Sequence, residues 1–352
     1  MGAGLAFADT AYSAAVSDYT LVVERAPLPA LVIHGGAGAY LKTTTVEQRL
    51  RRGKTLAEIT AVAHRAFGDG GSRASVLAAI EALENDPGFN AGWGSRLQQD
   101  GEARLSAALM DGRRTRMSAI VNARRCRHPT ALADALQERA DRNLDGDGAT
   151  LLMAELGIPE QDVRAPQSLE RWRKLVATGD TADREAAIGS AGEEELDRAR
   201  EARIAVPDEI AAELDDDNKY GTVGAVAADP EGGLWAATST GGRGHEAVGR
   251  VSDSPTVAGN YACPQVAISA TGFGEQIIDL NVCGRIATRV IDGLSLEDAL
   301  RRTFDEVAAF GGLLGVIAVT PEGALGYAHT TEACGVAWMD GAGALHVDRH
   351  GR

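Results

Sequence analysis

The tetrapeptide Gly221-Thr222-Val223-Gly224 contains the residue types that most directly suggest chemistry in this chain. A polar and acidic run ends at Gly221, and an apolar run typical of a β-strand begins after Thr222. Hydrolysis of the bond between these two residues would give Thr222 a free α-amine beside its own hydroxyl, so one residue would supply both a nucleophile and a general base. The alternative is an ordinary junction between a loop and a strand, which is the commoner meaning of such a tetrapeptide taken alone.

The composition argues against several classes of protein. The chain has 352 residues, 44% of them hydrophobic and 24% charged, which is enough for one large domain or two smaller ones. Its net charge of −15 argues against nucleic acid or an anionic membrane as the main partner. No apolar run approaches the length of a membrane span, the N-terminus lacks the features of a signal peptide, and the four cysteines form no CxxC pair. These features predict a cytoplasmic protein without a disulfide framework or a zinc site.

The pattern of apolar residues predicts strands and helices on both sides of the tetrapeptide. Residues 1–28 have weak periodicity and are predicted to be an N-terminal extension. The predicted elements before Thr222 are a buried strand at 30–34, a helix at 46–67, a helix capped by Ser72, a hairpin of strands 103–110 and 115–122 that turns at Asp111-Gly112, and mostly helical segments at 130–156 and 166–190. Those from Thr222 onward are strands at 222–229, 233–240, 266–271, 313–320, 323–329 and 334–339, with helices at 274–292 and 296–310. Strand pairs grouped with helices in each half indicate stacked sheets covered by helical layers.

Residues 193–219 stand apart in composition, with eleven Asp or Glu residues against four Lys or Arg residues. Part of the run is compatible with a solvated helix, but its end at 214–218 is typical of a flexible linker. We therefore predict an acidic linker at 193–221, directly before Thr222.

Four sets of motifs occur in the chain in a fixed order. They are His34-Gly35-Gly36-Ala37-Gly38; Phe89-Asn90-Ala91-Gly92-Trp93-Gly94 followed by Met110-Asp111-Gly112; the segment Gly221–Val226; and Ala237–Gly242 followed by Gly249–Pro255 and Thr271–Glu275. In this order and spacing they resemble the plant-type asparaginase/isoaspartyl peptidase family of N-terminal-nucleophile hydrolases, over nearly the whole chain. The resemblance implies an α+β fold, a four-layer αββα sandwich, and a precursor that cuts itself between Gly221 and Thr222. It also implies that residues 29–221 and 222–352 become the α and β subunits of an (αβ)2 homo-assembly.

The resemblance assigns catalytic roles to five positions. Thr222 would be the nucleophile and its freed α-amine the base, because a threonine hydroxyl is too weakly acidic to attack an amide unaided. Thr240 matches a threonine that hydrogen-bonds the nucleophile; the alternative is an ordinary threonine at the end of a strand. Thr271 and Gly272 match an oxyanion hole, in which a hydroxyl and an amide stabilise the charge on the attacked carbonyl oxygen. Asn90 matches an asparagine that faces the nucleophile, and is otherwise a turn residue.

Arg250, Asp253 and Gly274 are the predicted substrate-binding residues. An arginine can bind an α-carboxylate through two parallel hydrogen bonds, and an aspartate can bind an α-ammonium group, so a pair three residues apart can hold one amino-acid zwitterion. Gly274 matches a family position whose main-chain carbonyl contacts the ammonium group. Without the matching motifs, Arg250 and Asp253 would be interpreted as a local salt bridge on a turn.

Four other features have weaker functional interpretations. The run Gly272-Phe273-Gly274 lacks the third glycine of a dinucleotide fingerprint, which argues against nucleotide binding. His34 is left out of the mechanism, because this histidine is more structural than catalytic in the family. The loop at 83–95 resembles one that binds a structural sodium ion through main-chain carbonyls. The run 141–146 fits the first half of an EF-hand loop, but Leu152 stands where that loop needs a glutamate, so calcium is not expected.

We therefore predict a self-cleaving N-terminal-threonine amidohydrolase that needs no cofactor or catalytic metal. Its predicted substrate is a small molecule, either L-asparagine or a β-aspartyl (isoaspartyl) dipeptide. A glycosylasparaginase-like amidase is the alternative with the same fold. The alternative of a different class is a non-catalytic homologue that acts as a binding or structural protein, and its chain would remain intact at 36.7 kDa.

Overall fold

A computed structural model describes residues 19–38, 46–178 and 221–348 of the chain. The strands are β1 Thr20–Arg25, β2 Ala30–Gly38, β3 Leu105–Asp111, β4 Arg116–Ala123, β5 Asn143–Leu144, β6 Val223–Ala228, β7 Leu234–Thr240, β8 Asn260–Cys263, β9 Val266–Gly272, β10 Leu314–Val319, β11 Ala324–His329, β12 Ala333–Met339 and β13 Leu345–Val347. The helices are α1 Val46–Arg65, α2 Phe67–Asn85, α3 Pro129–Ala135, α4 Gly146–Glu155, α5 Pro166–Thr178, α6 Gly274–Asp279, α7 Val282–Ile291 and α8 Leu296–Phe310, with a 3₁₀ turn at Gly92–Gly94.

The strands form two sheets that pack face to face between helical layers. One sheet has five strands in the order β1-β11-β10-β9-β8, and the other has eight in the order β13-β12-β2-β6-β7-β3-β4-β5. β9 packs on β6 and β7 across the interface between the sheets, α1 and α2 cover the eight-stranded sheet, and α7 and α8 cover the five-stranded sheet. The four layers are those of an αββα sandwich, which confirms the predicted fold class.

The strand β6 shows how a continuous apolar run supplies two cores at once. Val223 and Ala225 belong to the apolar cluster between the eight-stranded sheet and its helices. Val226 and Ala228 belong to the cluster between the two sheets. Alternate residues of a strand point to opposite faces of its sheet, and both faces are buried here, so the run is apolar throughout instead of alternating with polar residues.

Antiparallel pairing in the eight-stranded sheet sets the positions of the candidate site residues. β6 pairs with β7 in a register that places Val223 opposite Ser239, so Thr222 stands across from Thr240 at the same end of the sheet. β6 also pairs with β2, in which His34 lies opposite Gly224. β6, which begins directly after Thr222, is therefore flanked by β2 and β7. These two strands carry the motifs that begin at His34 and Ala237.

Most of the predicted elements are present, and the differences have local causes. The helix predicted at 274–292 is broken into α6 and α7, because Asn281 has a left-handed backbone with φ of 45°. The segment predicted as helical at 130–156 contains α3, the short strand β5 and α4. Within the predicted extension, Thr20–Arg25 form an edge strand paired with β11. Residues 1–18 and the acidic run at 193–219 lie outside the described residues, so the predicted subunit boundaries stay predictions.

The second helix begins differently from the prediction. Gly71 has a φ of 65°, which interrupts α2 just before Ser72. Ser72 does not supply the cap: its hydroxyl donates to Asp229 Oδ2 at 2.7 Å, and its amide donates to the same oxygen at 3.0 Å. The second oxygen of Asp229 accepts from the Gly233 amide at 2.6 Å. A carboxylate from the end of β6 therefore satisfies the amide at this helix break.

Asp145 of the EF-hand-like run has a structural use. Asp145 accepts a hydrogen bond from the Gly148 amide at 2.8 Å and is the N-cap of α4. Within the described ranges, no group of three or more His, Cys, Asp or Glu side chains could hold a metal ion. No helix in those ranges is both long enough and apolar enough to cross a membrane.

We predict that Asp229→Ala lowers the free energy of unfolding by about 2 kcal/mol, because it leaves three buried donors of Ser72 and Gly233 without their acceptor. Chemical denaturation measures the loss. The matched control is Asp69→Ala, which removes the same charge from an exposed position near the start of α2 and should change stability by less than about 0.5 kcal/mol. Equal losses in the two variants would contradict the role of Asp229.

Candidate active site

Thr222 and Thr240 form the centre of the candidate site. The hydroxyl of Thr222 donates to Oγ1 of Thr240 at 3.1 Å, and the Gly242 amide donates to the same oxygen at 3.2 Å. Both threonines are buried. The pairing follows from the register of β6 and β7, which brings the start of one strand beside the end of the other. The predicted nucleophile therefore lies within hydrogen-bonding distance of its predicted partner.

Thr271 approaches the same junction from the opposite sheet. Its hydroxyl lies 3.5 Å from the carbonyl oxygens of both Gly221 and Thr222, at the outer limit of a hydrogen bond. The Ala37 amide donates to Thr271 Oγ1 at 3.2 Å and holds it in place. Gly272 has a φ of 131°, and a Cβ there would lie 2.5 Å from the Leu313 carbonyl oxygen, so only glycine fits beside Thr271.

The backbone of Thr222 is strained. Its φ of 43° lies in the left-handed region, which a β-branched side chain rarely adopts. Such a conformation costs on the order of 1–3 kcal/mol and persists only where the surrounding structure enforces it. The strain therefore lies directly at the bond that the sequence predicts to be cut.

Asn90 is buried beside this junction and fixes the loop that follows β7. Its Nδ2 donates to the Gly242 carbonyl oxygen at 2.5 Å, and its main-chain carbonyl accepts from the Gly241 amide at 3.0 Å. Its Oδ1 accepts from the Arg96 amide at 2.9 Å. A Cβ at Gly221 would lie 3.9 Å from Nδ2, which places the amide of Asn90 next to the predicted scissile bond.

Arg250, Asp253 and Gly274 meet in a second group. A Cβ at Gly274 would lie 2.7 Å from Arg250 Nη2 and 2.8 Å from Asp253 Oδ1, so the glycine backbone touches both side chains. Arg250 donates from Nε and Nη2 to the two carboxylate oxygens of Glu275, each at 2.9 Å. Gly274 follows Thr271 and Gly272 along one turn from β9 into α6, and this turn joins the second group to the first.

Burial changes the titration of Asp253. Its side chain is 1% exposed, and Oδ2 has no hydrogen-bond partner in the part of the chain that the structure describes. Burial raises the pKa of Asp253 to about 7, although the nearby Arg250 charge opposes the shift. A carboxylate with an unpartnered oxygen beside a glycine backbone is suited to bind a cationic group of a ligand.

Comparison with known proteins identifies the family. A family model described as asparaginase matches residues 27–348. An isoaspartyl peptidase/L-asparaginase from a Nostoc species is 37% identical over 314 residues, which cover 89% of this chain and 92% of that protein. This chain belongs to the plant-type asparaginase/isoaspartyl peptidase family of N-terminal-nucleophile hydrolases. The likeness extends to an isoaspartyl peptidase from Salmonella typhimurium, 36% identical over 88% of this chain and 94% of that protein, and to an isoaspartyl peptidase/L-asparaginase from Mus musculus, 33% identical over 83% and 82%.

The sequence-based prediction of the site missed Glu275. Two parallel bonds to Arg250 anchor the guanidinium, and these bonds hold the pKa of Glu275 below its ordinary value even though burial opposes the shift. The signal was present in the sequence, because Glu275 directly follows the predicted residue Gly274 in one of the family motifs. Its pairing with Arg250 could not be inferred from spacing, since the two residues are 25 positions apart in the chain.

The loop at 83–95 brings main-chain oxygens close together. A Cβ at Gly92 would lie 2.2 Å from the Glu84 carbonyl oxygen, and one at Gly94 would lie 1.9 Å from that of Phe89. Only glycine allows the chain to pass so close to these oxygens. The loop therefore gathers carbonyl groups of the kind that a sodium site needs, and sodium binding there stays a prediction.

We predict that the raised pKa of Asp253 makes the protein less stable as the pH rises. The carboxyl ionises near 3.8 in the unfolded chain and near 7 in the folded protein. Between these values the folded state binds more protons than the unfolded state, so the free energy of unfolding falls with pH. Relative to Asp253→Asn, the wild type should lose about 2 kcal/mol between about pH 5 and about pH 8 in urea unfolding. Parallel pH profiles for the two proteins would contradict a raised pKa.

Proposed function

We propose that this chain is a self-cleaving amidohydrolase that uses Thr222 as its nucleophile and releases L-aspartate from L-asparagine and β-aspartyl dipeptides. The observation that carries the proposal is the meeting of three threonine hydroxyls at the Gly221–Thr222 bond. Thr240 accepts from the Thr222 hydroxyl, and Thr271 faces the carbonyl oxygen of Gly221. A nucleophile, a hydrogen-bond partner and an oxyanion donor are the three parts that acyl transfer requires.

The first reaction is the cut in the chain. Oγ1 of Thr222 attacks the carbonyl carbon of Gly221, and the developing negative charge on the carbonyl oxygen faces the hydroxyl of Thr271. The C–N bond breaks, the Thr222 nitrogen takes a proton, and Gly221 is held as an ester on the hydroxyl. The α-amine of Thr222 is free from this point. Water then hydrolyses the ester, which frees the Thr222 hydroxyl and leaves a carboxyl group on Gly221. The strained φ of Thr222 supports this step, because cleavage removes the constraint that holds it.

The second reaction repeats the attack on the substrate. The free α-amine of Thr222 takes the hydroxyl proton while Oγ1 attacks the side-chain carbonyl carbon of the substrate. Thr271 and the Gly272 amide stabilise the oxyanion. The leaving amine or ammonia departs with a proton, and water then hydrolyses the β-aspartyl ester on Thr222. The products are L-aspartate and the amine.

The substrate class follows from the charges of the second group. Arginine has five N–H donors, and the bonds to Glu275 use only the Nε/Nη2 fork of Arg250, so its Nη1/Nη2 fork can bind an α-carboxylate. Asp253 and the Gly274 carbonyl suit the α-ammonium group of the same amino acid. The relatives named isoaspartyl peptidase and L-asparaginase support the choice of an aspartyl substrate.

We expect the two fragments to remain together after the cut, as the α and β subunits of an (αβ)2 assembly. Strands from both sides of the cut pair with each other: β6 pairs with β2, and β7 pairs with β3. Separation would therefore expose strand edges in the middle of the eight-stranded sheet, which is strongly unfavourable.

We predict that the Thr222 variants separate attack by the chain itself from cutting by another protease. Wild type should give a small fragment that begins Thr222-Val223-Gly224, whereas Thr222→Ala should stay uncut and inactive because the hydroxyl is lost. Thr222→Ser should cut more slowly but remain active, and Thr222→Cys should also cut. Gel electrophoresis, N-terminal sequencing and ammonia release measure these outcomes.

The matched control for these variants is Thr60→Ala, which removes a buried hydroxyl whose one bond within the described residues is to Leu56 of its own helix α1, at 2.7 Å. It should be cut like the wild type. A cut at the same bond in Thr222→Ala would show that another protease makes it.

We predict that binding and chemistry respond to different variants. Arg250→Lys keeps the charge but loses the fork, so KM for L-asparagine should rise about tenfold with little change in kcat. Glu275→Gln should act in the same direction, because Arg250 loses its anchor. Thr240→Val should lower kcat by about 10- to 100-fold with little change in KM. Steady-state kinetics on L-asparagine measure kcat and KM for each variant. An equal fall in kcat for all three variants at constant KM would contradict these roles.

A further inference from the structure

Four buried polar side chains form a continuous hydrogen-bonded chain between the two sheets. His34 Nε2 lies 2.9 Å from Ser269 Oγ, and Ser269 Oγ lies 2.7 Å from Thr238 Oγ1. The Thr238 hydroxyl donates to Asn260 Oδ1 at 2.9 Å. All four side chains are fully buried, beside the apolar cluster that lies between the two sheets. We name these residues the inter-sheet chain.

Strand register brings the inter-sheet chain together. His34, Gly224 and Thr238 lie side by side across β2, β6 and β7 of one sheet. Ser269 and Asn260 are neighbours on β9 and β8 of the other sheet. A Cβ at Gly224 would lie 2.0 Å from Ser269 Oγ and 2.2 Å from His34 Nε2. Ser269 can therefore reach across the interface only because position 224 has no side chain.

Each link of the inter-sheet chain can be a full hydrogen bond at the same time. The Thr238 hydroxyl can donate to Asn260 Oδ1, and the Ser269 hydroxyl can donate to one of its two neighbours, Thr238 or His34, while it accepts from the other. Burial lowers the pKa of His34 to about 3, although a backbone hydrogen bond with Thr222 opposes the shift. The imidazole is therefore neutral, so one of its ring nitrogens carries a proton and the other can only accept. Loss of any one of these hydrogen bonds leaves buried polar groups unsatisfied. The inter-sheet chain therefore resists sliding of one sheet over the other more than an apolar contact would.

The inter-sheet chain lies directly beneath the candidate nucleophile. Each of the three threonines of the site is two residues from Gly224, Thr238 or Ser269. For Thr240 and Thr271, which lie within strands, this spacing puts both side chains of a pair on one face of the strand. The pairs are Gly224 with Thr222 at the start of β6, Thr238 with Thr240 on β7, and Ser269 with Thr271 on β9. A small displacement of β9 relative to β6 and β7 would therefore move the three hydroxyls apart.

We propose that the inter-sheet chain is a positioning device, with Ser269 and Thr238 as its central residues. It holds β6, β7 and β9 in the relative placement that brings the hydroxyls of the site threonines together. The inference rests on the proposed function, because the residue it positions is the proposed nucleophile. It assigns a role to Ser269 and Thr238, which lie two positions along their strands from the site threonines Thr271 and Thr240.

The test compares two substitutions of Thr238. Thr238→Val replaces the hydroxyl with a methyl group of similar shape, and we expect self-cleavage and kcat to fall at least about tenfold while KM for L-asparagine stays within about twofold. Thr238→Ser keeps the hydroxyl and should recover most of the loss. The matched control is Ser118→Ala, which removes an equally buried hydroxyl bonded to Ala133 and Gln137 under α3. It should lower thermal stability but leave both rates near the wild-type values.

Each outcome decides the proposal. The proposal would be overturned if Thr238→Val kept the wild-type rates. It would also be overturned if Ser118→Ala lost as much rate as Thr238→Val at the same loss of thermal stability. Should Thr238→Val fail to fold, Ser269→Ala makes the same comparison, because it removes the central hydroxyl of the inter-sheet chain without adding an atom. A wild-type protein that neither cuts itself nor hydrolyses asparagine would instead contradict the proposed function.

Discussion

The antiparallel register between β6 and β7 is the constraint on which the candidate site depends. It sets Thr222 across from Thr240, and the hydroxyl-to-hydroxyl distance of 3.1 Å follows from it. A slip of one residue would turn the side chains of a strand to the opposite face of the sheet. The register is specified strongly because both faces of β6 are buried, so a slip would also exchange the contents of two apolar cores.

The packing of the second sheet completes the site. Thr271 comes from β9 and reaches the junction only because the two sheets lie face to face at this point. The charged groups lie beside the turn from β9 into α6: Glu275 at the start of α6 anchors Arg250, which also lies near the carboxylates of Asp253 and Glu246. Glycine occupies the points of closest approach at Gly272 and Gly274, where a side chain would meet backbone or charged atoms. Buried charges of this kind are costly unless paired, which accounts for the tight packing around Arg250.

Much of the fold could be predicted from the sequence, because strands buried on both faces are continuous apolar runs between turn residues. The strands from β6 to β12 follow that rule closely, with the exception of β8. β1 was missed because an edge strand that is only half-buried has weak periodicity. The break at Asn281 was missed because a left-handed asparagine leaves no mark in the apolar pattern. Long-range side-chain pairs, such as His34 with Ser269, depend on how the sheets stack, and no local pattern carries that information.

The site itself was predictable as a set of motifs but not as a geometry. The order of the motifs indicated the family, and the comparisons confirm it. The anchoring of Arg250 by Glu275 and the inter-sheet chain under the site could be recognised only from contacts in the folded structure.

The central claim is that one threonine attacks twice, first its own chain and then the substrate. Mass spectrometry of the enzyme quenched during turnover of a β-aspartyl dipeptide tests this claim most directly. We expect a β-aspartyl ester on the fragment that begins at Thr222, located on Thr222 itself by fragmentation of that peptide. An aspartyl adduct on another residue, or steady turnover by a chain that remains intact, would contradict it.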